Sequence, residues 1–235
     1  MLFVSSPNTT PNADADINLL SILVAYGKII PQSVIDLFTP GIINVHPSLL
    51  PKYRGPSPIE SAIANQDTET GVSIMQLDDK MDAGPIYAQT QQTLTGKETK
   101  PELYNQLFHE GSVLLTKILP DIVGGSLQAV PQNHSAATYC QLLHKDISHL
   151  DPETMTAAEA DAHVRAYLEF PRSRLKINNV ELIITKAHAD TSPLSPIDVQ
   201  CADGNWLLID ELISPTSGKK MTTEAFLCGH QVQIH

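Results

Sequence analysis

An asparagine and a histidine stand two residues apart where an apolar stretch ends, in residues 43–55 with the sequence INVHPSLLPKYRG. If this stretch is a strand, Asn44 and His46 point to the same face, because side chains alternate along a strand. An amide N–H can donate a hydrogen bond to a carbonyl oxygen that gains negative charge, and a protonated imidazole can do the same and also supply a proton. The pair is therefore suited to the transfer of an acyl group.

A carboxylate would complete such a site by keeping the imidazole charged and by relaying a proton. Residues 78–86, DDKMDAGPI, offer Asp78, Asp79 and Asp82 just after another predicted strand. Asp82 precedes two small residues, which lets a ligand approach it most closely. We predict Asp82 as the third group. The alternative is that all three residues only order loops, since Asp before Gly is also an ordinary turn signal.

The surrounding sequence alternates between short apolar runs and short helical patterns. Strands are predicted at 19–27, 41–46, 70–77 and 85–89, and helices at 31–38 and 57–66. The β-α-β-α-β order predicts an α/β protein with a partial, Rossmann-like parallel sheet. Ligands bind at the carboxyl edge of such sheets, which is where this sheet would place the polar residues described above.

A longer helix and a linker follow. Thr99 and Glu102 have capping-box spacing, and Leu103, Leu107, Leu114 and Ile118 supply an apolar face. Residues 121–137 are rich in Gly, Pro and polar residues and are predicted to be a linker. The predicted domains are therefore 1–120 and 138–235. The second contains a capped helix after Thr156 and short alternating segments from 175 onward, which predict a small antiparallel sheet or β-barrel.

Composition narrows the possible functions. The chain has 235 residues, 42% hydrophobic content, a net charge of −11 and a pI near 5.1. This charge argues against a generic nucleic-acid binder but leaves room for a local basic patch. The three cysteines are scattered, no apolar run approaches membrane-span length, and no signal peptide is evident, so a cytoplasmic protein with reduced thiols is expected. No metal site is expected.

Two segments carry a resemblance to a known family. NVHPSLLPKYRGPSPI at 44–59 and TGVSIMQLDDKMDAGPI at 70–86 resemble the 10-formyltetrahydrofolate-dependent formyltransferases. That family shares Asn-x-His-x-Ser-Leu-Leu-Pro, followed some tens of residues later by Asp-x-Gly. The similarity extends from about 16 to about 226 and is greatest to the members that act on initiator methionyl-tRNA.

The resemblance implies a formyltransferase fold, a small OB-like barrel in the second domain, and roles for individual residues. Asn44, His46 and Asp82 would be catalytic, 10-formyltetrahydrofolate would donate the formyl group, and the amine of initiator methionyl-tRNA would accept it. A monomer that binds neither metal nor membrane is implied. Residues expected at the folate are Tyr26, Gly27, Lys28, Ile30, Leu77, Asp79 and Met81. Residues expected at the tRNA are Lys52, Arg54, Arg172, Arg174, Lys219 and Lys220, with solvated surface charge as the alternative.

Two further interpretations stay open. The acceptor could be a small amine, such as an amino sugar nucleotide or glycinamide ribonucleotide. The chain could also be an inactive remnant, because the family's domain has more strands ahead of residue 19 and the polar start of this sequence is too short to supply them. The first domain is accordingly expected to be N-terminally truncated.

Overall fold

A computed structural model of the chain describes residues 2–5, 19–24, 30–177 and 180–229. The fold separates into two compact units. The first comprises Met1–Pro58, Glu69–Thr93 and Tyr104–Leu142, and the second comprises Ile59–Thr68, Leu94–Leu103 and Leu143–His235. The division into domains at 121–137 stays a prediction, although the helix expected to end near 120 continues to Val123.

The first unit contains a five-stranded sheet whose strands follow one another in chain order. They are β1 (Leu2–Ser5), β2 (Leu19–Val24), β3 (Ile42–His46), β4 (Glu69–Gln76) and β5 (Ile86–Thr93). A four-residue helix, α1 (Gln32–Ile35), lies between β2 and β3, which are parallel. The other neighbouring strands pair antiparallel. Strand β1 lies in the polar start, where no strand was predicted.

The direction predicted for β4 is wrong. Strand β4 runs antiparallel to β3, with Ser73 opposite His46 and Gln76 opposite Ile43. The cause lies in the loop that leaves β3, because this loop stays at the carboxyl end of that strand. There the Leu50 N–H donates to Ser73 Oγ at 3.0 Å. The chain therefore re-enters the sheet at the end where it left, whereas a parallel neighbour requires a crossover to the opposite end.

The centre of this sheet is covered on both faces. In β3 every residue is buried except Asn44, which is half-buried, and in β4 the run 70–75 is buried. Helix α3 (Lys100–Val123) packs closely at Gly111, where an added Cβ would come within 2.8 Å of Val45 Cγ1. The predicted apolar face needs correction, because Leu115 is buried in α3 while Leu114 and Ile118 are only half-buried.

The second unit contains an antiparallel sheet and the remaining helices, as the alternating pattern predicted. Its strand order is β10-β9-β7-β6, with β8 on β9. Thr156 and Glu159 form the predicted capping box of α4. The elements are α2 (Pro58–Ala64), α4 (Ala157–Ala166), β6 (Ser173–Ile177), β7 (Val180–Asp190), β8 (Val199–Gln200), β9 (Trp206–Ile213), β10 (Lys220–Thr222) and α5 (Thr223–Gly229). Short 3₁₀ turns span His134–Ala136 in the first unit and Lys145–Ser148 in the second.

This second sheet has its own core. Leu182, Ile184, Leu207 and Leu212 are almost fully buried and pack with Val164 of α4. Closure of the sheet into a barrel stays a prediction. In neither unit does a helix of the described ranges have the length and apolarity to cross a membrane.

His163 of α4 links stability to pH. Its Nε2 donates to the Ile147 carbonyl oxygen at 2.7 Å and its Nδ1 faces Ser173 Oγ at 2.8 Å. Burial lowers the pKa of His163 below its usual 6.5, although the hydrogen bond to Ile147 opposes this shift. The neutral form is thus favoured in the folded state. The stability that the neutral His163 contributes is present above pH 6.5, and it is lost as the pH falls toward the pKa of His163 in the folded state.

We expect urea unfolding to show that the stability of the second unit decreases as the pH falls below about 6.5, with a smaller decrease in His163→Gln. The exposed His144 in the same unit provides the control, His144→Gln, which should keep the full pH dependence. An unchanged pH dependence in His163→Gln would contradict this assignment.

Candidate active site

Strand β3 carries two of the predicted site residues on one face. Asn44 pairs through its backbone with Leu23 and Met75, which fixes the position of its side chain. Within the described part of the chain, the Asn44 amide has no hydrogen-bond partner. His46, two residues later, is 4% exposed. The strand therefore ends with an amide available to a ligand beside an almost buried imidazole.

The hydrogen bonds of His46 define which nitrogen can exchange a proton. Its Nε2 lies 2.9 Å from the Tyr53 carbonyl oxygen. Because a carbonyl oxygen can only accept, Nε2 carries a hydrogen. Its Nδ1 lies 3.7 Å from Asp82 Oδ2, which is an ion-pair distance but longer than a hydrogen bond. With Nε2 bound to the Tyr53 carbonyl, Nδ1 is the ring nitrogen that faces the Asp82 carboxylate.

Asp82 is held in an unusual backbone conformation. Its φ of 47° is in the left-handed region, which costs a residue other than glycine about 1–3 kcal/mol. The Gly55 N–H donates to Asp82 Oδ2 at 2.8 Å and so fixes the carboxylate. Tyr53, whose carbonyl binds His46, also has a positive φ of 56°. Backbone strain is therefore present on both sides of the imidazole.

The loop of residues 77–85 brings Asp82 to His46 by a route that the sequence analysis did not anticipate. We expected two parallel strands to end at one edge, but β4 ends beside Ile43. The loop closes at its neck, where the Gln76 N–H donates to the Pro85 carbonyl oxygen at 2.9 Å. Asp82 thus lies beside His46, while the reason given for its position was wrong.

Arg54 was predicted to contact tRNA, but the structure places it inside the first unit. It is 2% exposed, and it donates from Nε and Nη2 to Gln132 Oε1 at 3.2 and 2.7 Å. Nη2 of Arg54 also lies 3.0 Å from His134 Nδ1, and its Nη1 donates to the Tyr139 hydroxyl at 3.3 Å. A guanidinium that is enclosed in this way cannot contact a phosphate, and we withdraw Arg54 from the tRNA set.

The segment predicted as a linker and the residues directly after it contribute to the site. The Tyr53 N–H donates to Thr138 Oγ1 at 2.9 Å, and the Cys140 N–H donates to the Arg54 carbonyl oxygen at 2.8 Å. Burial raises the pKa of the Cys140 thiol, which favours its uncharged form. Gln132, 7% exposed, was missed by the sequence analysis because no periodicity marks it within a polar stretch.

The residues predicted to bind folate fall into three groups. Tyr26, Gly27 and Lys28 lie outside the described residues. Ile30 and Leu77 are partly buried against a small apolar cluster around Ile42. Asp79 and Met81 are exposed in the loop that carries Asp82, and a hydrogen bond shared with Asp78 raises the pKa of Asp79. Binding of folate by these residues stays a prediction.

Two of the residues predicted to contact tRNA lie on edge strands of the second unit's sheet. Arg174 on β6 forms an ion pair with Glu181 at 2.5 Å, and Lys220 on β10 forms one with Glu211 at 2.5 Å. Arg172 and Lys219 are exposed, and neither side chain has a partner in the described ranges.

Lys52 belongs to the loop after β3, in the first unit. It is exposed, and its Nζ lies 4.9 Å from the centre of the Tyr53 ring. Contact of these cations with tRNA stays a prediction.

Comparisons with known proteins agree with this geometry. A formyl transferase family model matches residues 10–119. The methionyl-tRNA formyltransferase of Myxococcus xanthus is 34% identical over 221 residues, which is 90% of this chain and 70% of that protein. The chain belongs to the formyltransferase family. The methionyl-tRNA formyltransferase of Nitrosospira multiformis is 33% identical, with 92% of this chain and 72% of that protein covered.

Solved structures show the formyltransferase fold as well. HypX from Aquifex aeolicus, in complex with tetrahydrofolic acid, superposes with a TM-score of 0.68 at 18% identity. The match covers 88% of this chain and 38% of that one. An N-formyltransferase from Helicobacter canadensis gives a TM-score of 0.62 at 22% identity, with 77% and 70% covered. Within the described residues, no group of three His, Cys, Asp or Glu side chains could hold a metal ion.

Gly84 tests how tightly the Asp82 loop is packed. A Cβ added at Gly84 would overlap the Gln76 carbonyl oxygen, which is backbone and cannot move alone. We expect Gly84→Ala to destabilise the protein by about 1–3 kcal/mol in urea unfolding, because overpacking of this kind displaces backbone. Gly124→Ala is the comparison and should cost less, since its added Cβ would lie 3.1 Å from the Pro120 carbonyl oxygen and would not overlap it as the Cβ at Gly84 overlaps the Gln76 carbonyl oxygen. Equal effects of the two substitutions would contradict the tight packing of this loop.

Proposed function

We propose that this chain transfers the formyl group of 10-formyltetrahydrofolate to the amino group of initiator methionyl-tRNA and so supports the initiation of translation. The observation that carries the proposal is the position of Asp82, which lies opposite His46 Nδ1. His46 belongs to β3, the strand that also carries Asn44. The acceptor, methionyl-tRNA, is inferred from the methionyl-tRNA formyltransferases to which the chain is similar.

The proposed reaction follows from the directions of these groups. The amine attacks the formyl carbon, and the carbonyl oxygen gains negative charge. His46, protonated at Nδ1, donates a hydrogen bond to this oxygen in the space beside Asp82. The Asn44 amide donates a second hydrogen bond to it from the same face of β3. Asp82 stabilises the imidazolium and accepts the proton that the attacking amine releases. The bond from the formyl carbon to folate nitrogen then breaks, and that nitrogen takes up a proton.

The loop of residues 77–85 is proposed to line the folate site. Leu77, Asp79 and Met81 belong to the same loop as Asp82, which would place folate beside the reacting carbon. Ile30 supports the same wall through the apolar cluster that it shares with Leu77. Tyr26, Gly27 and Lys28 are proposed to extend this wall.

The second unit is proposed to be the small barrel that holds the acceptor arm of the tRNA. Two observations support this: the strand pairs of its sheet are antiparallel, and Arg174 and Lys220 lie on edge strands of that sheet. Arg172 and Lys219 are the strongest candidates because their charges are not neutralised by a carboxylate in the described ranges. We further propose a monomer that acts in the cytoplasm and requires no metal.

The catalytic assignment is tested by His46→Ala and Asp82→Asn. Each should lower kcat about 100-fold or more, because general acid-base groups contribute about 10²–10⁴. Asn at position 82 keeps the shape and can still accept the Gly55 N–H. The measurement is formyl transfer to methionyl-tRNA, run beside an amino sugar nucleotide as acceptor. The exposed Asp121 on α3 gives the control, Asp121→Asn, with native turnover.

Two results would count against the proposed function. Near-native turnover in either His46→Ala or Asp82→Asn would show that the assignment of these residues is wrong. Transfer to the amino sugar nucleotide but not to methionyl-tRNA would show that the acceptor is a small amine.

Contacts with tRNA are tested by Arg172→Ala and Lys219→Ala. If each cation neutralises one phosphate, each substitution should raise KM for methionyl-tRNA and reduce the slope of log affinity against log salt by about one. Lys117→Ala, an exposed cation on α3 in the first unit, should change neither. Equal effects in all three variants would indicate only the loss of general charge.

A further inference from the structure

The loop that carries Asp82 needs contacts that hold its backbone in place. Residues 78–81 are exposed, and Asp82 adopts a strained backbone conformation. A carboxylate in an exposed, strained loop would drift from the imidazole unless other groups fix the backbone around it. The turn bond from the Ala83 N–H to the Lys80 carbonyl oxygen is long, at 3.3 Å.

Gln132 supplies the missing support. Its Nε2 donates to the carbonyl oxygen of Asp82 at 2.8 Å and to that of Gly84 at 2.7 Å. Both hydrogens of one buried amide thus bind the backbone on either side of Ala83. The amide oxygen is fully used as well, because it accepts both bonds from Arg54 described above.

The chemistry of the partners fixes the orientation of this amide. A guanidinium only donates and a backbone carbonyl only accepts, so the oxygen of Gln132 must face Arg54 and the nitrogen must face the loop. Arg54 has no ion-pair partner among the residues described here. The hydrogen bonds of a buried cation are stronger than neutral ones, and such a bond polarises the amide that accepts it.

The contacts form a closed ring around the reacting groups. Tyr53 binds His46 through its carbonyl, Arg54 binds Gln132 through its side chain, and Gly55 binds the Asp82 carboxylate through its N–H. Gln132 completes the ring by binding the Asp82 carbonyl. The three consecutive residues 53–55 thereby hold the imidazole, and with Gln132 they hold the carboxylate.

We propose that Gln132, held by Arg54, is a positioning residue that fixes the Asp82 carboxylate opposite His46. It touches neither the imidazole nor the carboxylate and acts through the backbone of the loop. The role in catalysis rests on the proposed formyl transfer.

The test uses the full chain and the substitution Gln132→Met, which keeps the length of the side chain and removes all four hydrogen bonds. We expect kcat to fall about 10–100-fold, because a shift of about 1 Å in a catalytic group costs up to about 10². KM for 10-formyltetrahydrofolate should change less than about threefold. Gln128→Met is the matched control with native kcat, because Gln128 is an exposed glutamine of the same segment whose Nε2 donates to the Gly125 carbonyl oxygen.

A double-mutant cycle separates positioning from a general loss of structure. If Gln132 acts through Asp82, adding Gln132→Met to Asp82→Asn should lower kcat by less than about twofold more. Additive losses would overturn the proposal. Should Gln132→Met fail to fold, Gln132→Glu provides the same test, because it still accepts from Arg54 but has no donor for the two carbonyls.

A spectroscopic version of the cycle does not depend on activity. Asp82→Asn should move the Nδ1 resonance of His46 in nitrogen NMR, and it should produce no further shift once Gln132→Met is present. Equal shifts in both backgrounds would overturn the positioning role. If the native chain transfers no formyl group but this cycle shows coupling, the proposed function fails while the positioning of Asp82 by Gln132 stands.

Discussion

The hydrogen bonds of residues 53–55 are the constraint on which the site depends. The Tyr53 carbonyl sets the tautomer of His46, and the Gly55 N–H sets the position of the Asp82 carboxylate. Because these two groups are separated by a single residue, a shift of the turn would move both partners of the ion pair at once. The left-handed φ of Tyr53 shows that the surrounding structure holds this turn against its local preference.

Hydrogen bonds from other parts of the chain hold this turn in its conformation. Residues 138–141 bind the backbone and side chains of 53–57, with the Ser57 hydroxyl donating to the Gln141 carbonyl oxygen at 2.5 Å. Ser73 of β4 binds the Ser48 carbonyl oxygen from the other side at 2.6 Å. A strand and a segment far apart in the sequence therefore hold the loop between them, and they supply hydrogen-bond partners for backbone groups in its buried part.

Local pattern predicted much of this architecture from sequence. The strand that ends with Asn44 and His46 on one face, the capping box of Thr156 and the antiparallel pattern after residue 175 were predicted correctly, because each depends on neighbours along the chain. The direction of β4 was not, since periodicity describes which side of a strand is buried and carries no information on where the preceding loop leads. The burial of Arg54 was missed for the same reason, as its acceptor is 78 positions away.

The left-handed backbone at Asp82 has a consequence for the evolution of this protein in the laboratory. Glycine adopts that conformation without the cost that an aspartate bears, so the residue most comfortable at position 82 is one that lacks a carboxylate. At the backbone, selection for heat resistance would thus favour the loss of the group proposed to carry the chemistry, and the hydrogen bond from Gly55 to that carboxylate opposes this loss. Robustness and turnover are opposed at this one position, and libraries that vary it need to be screened for both.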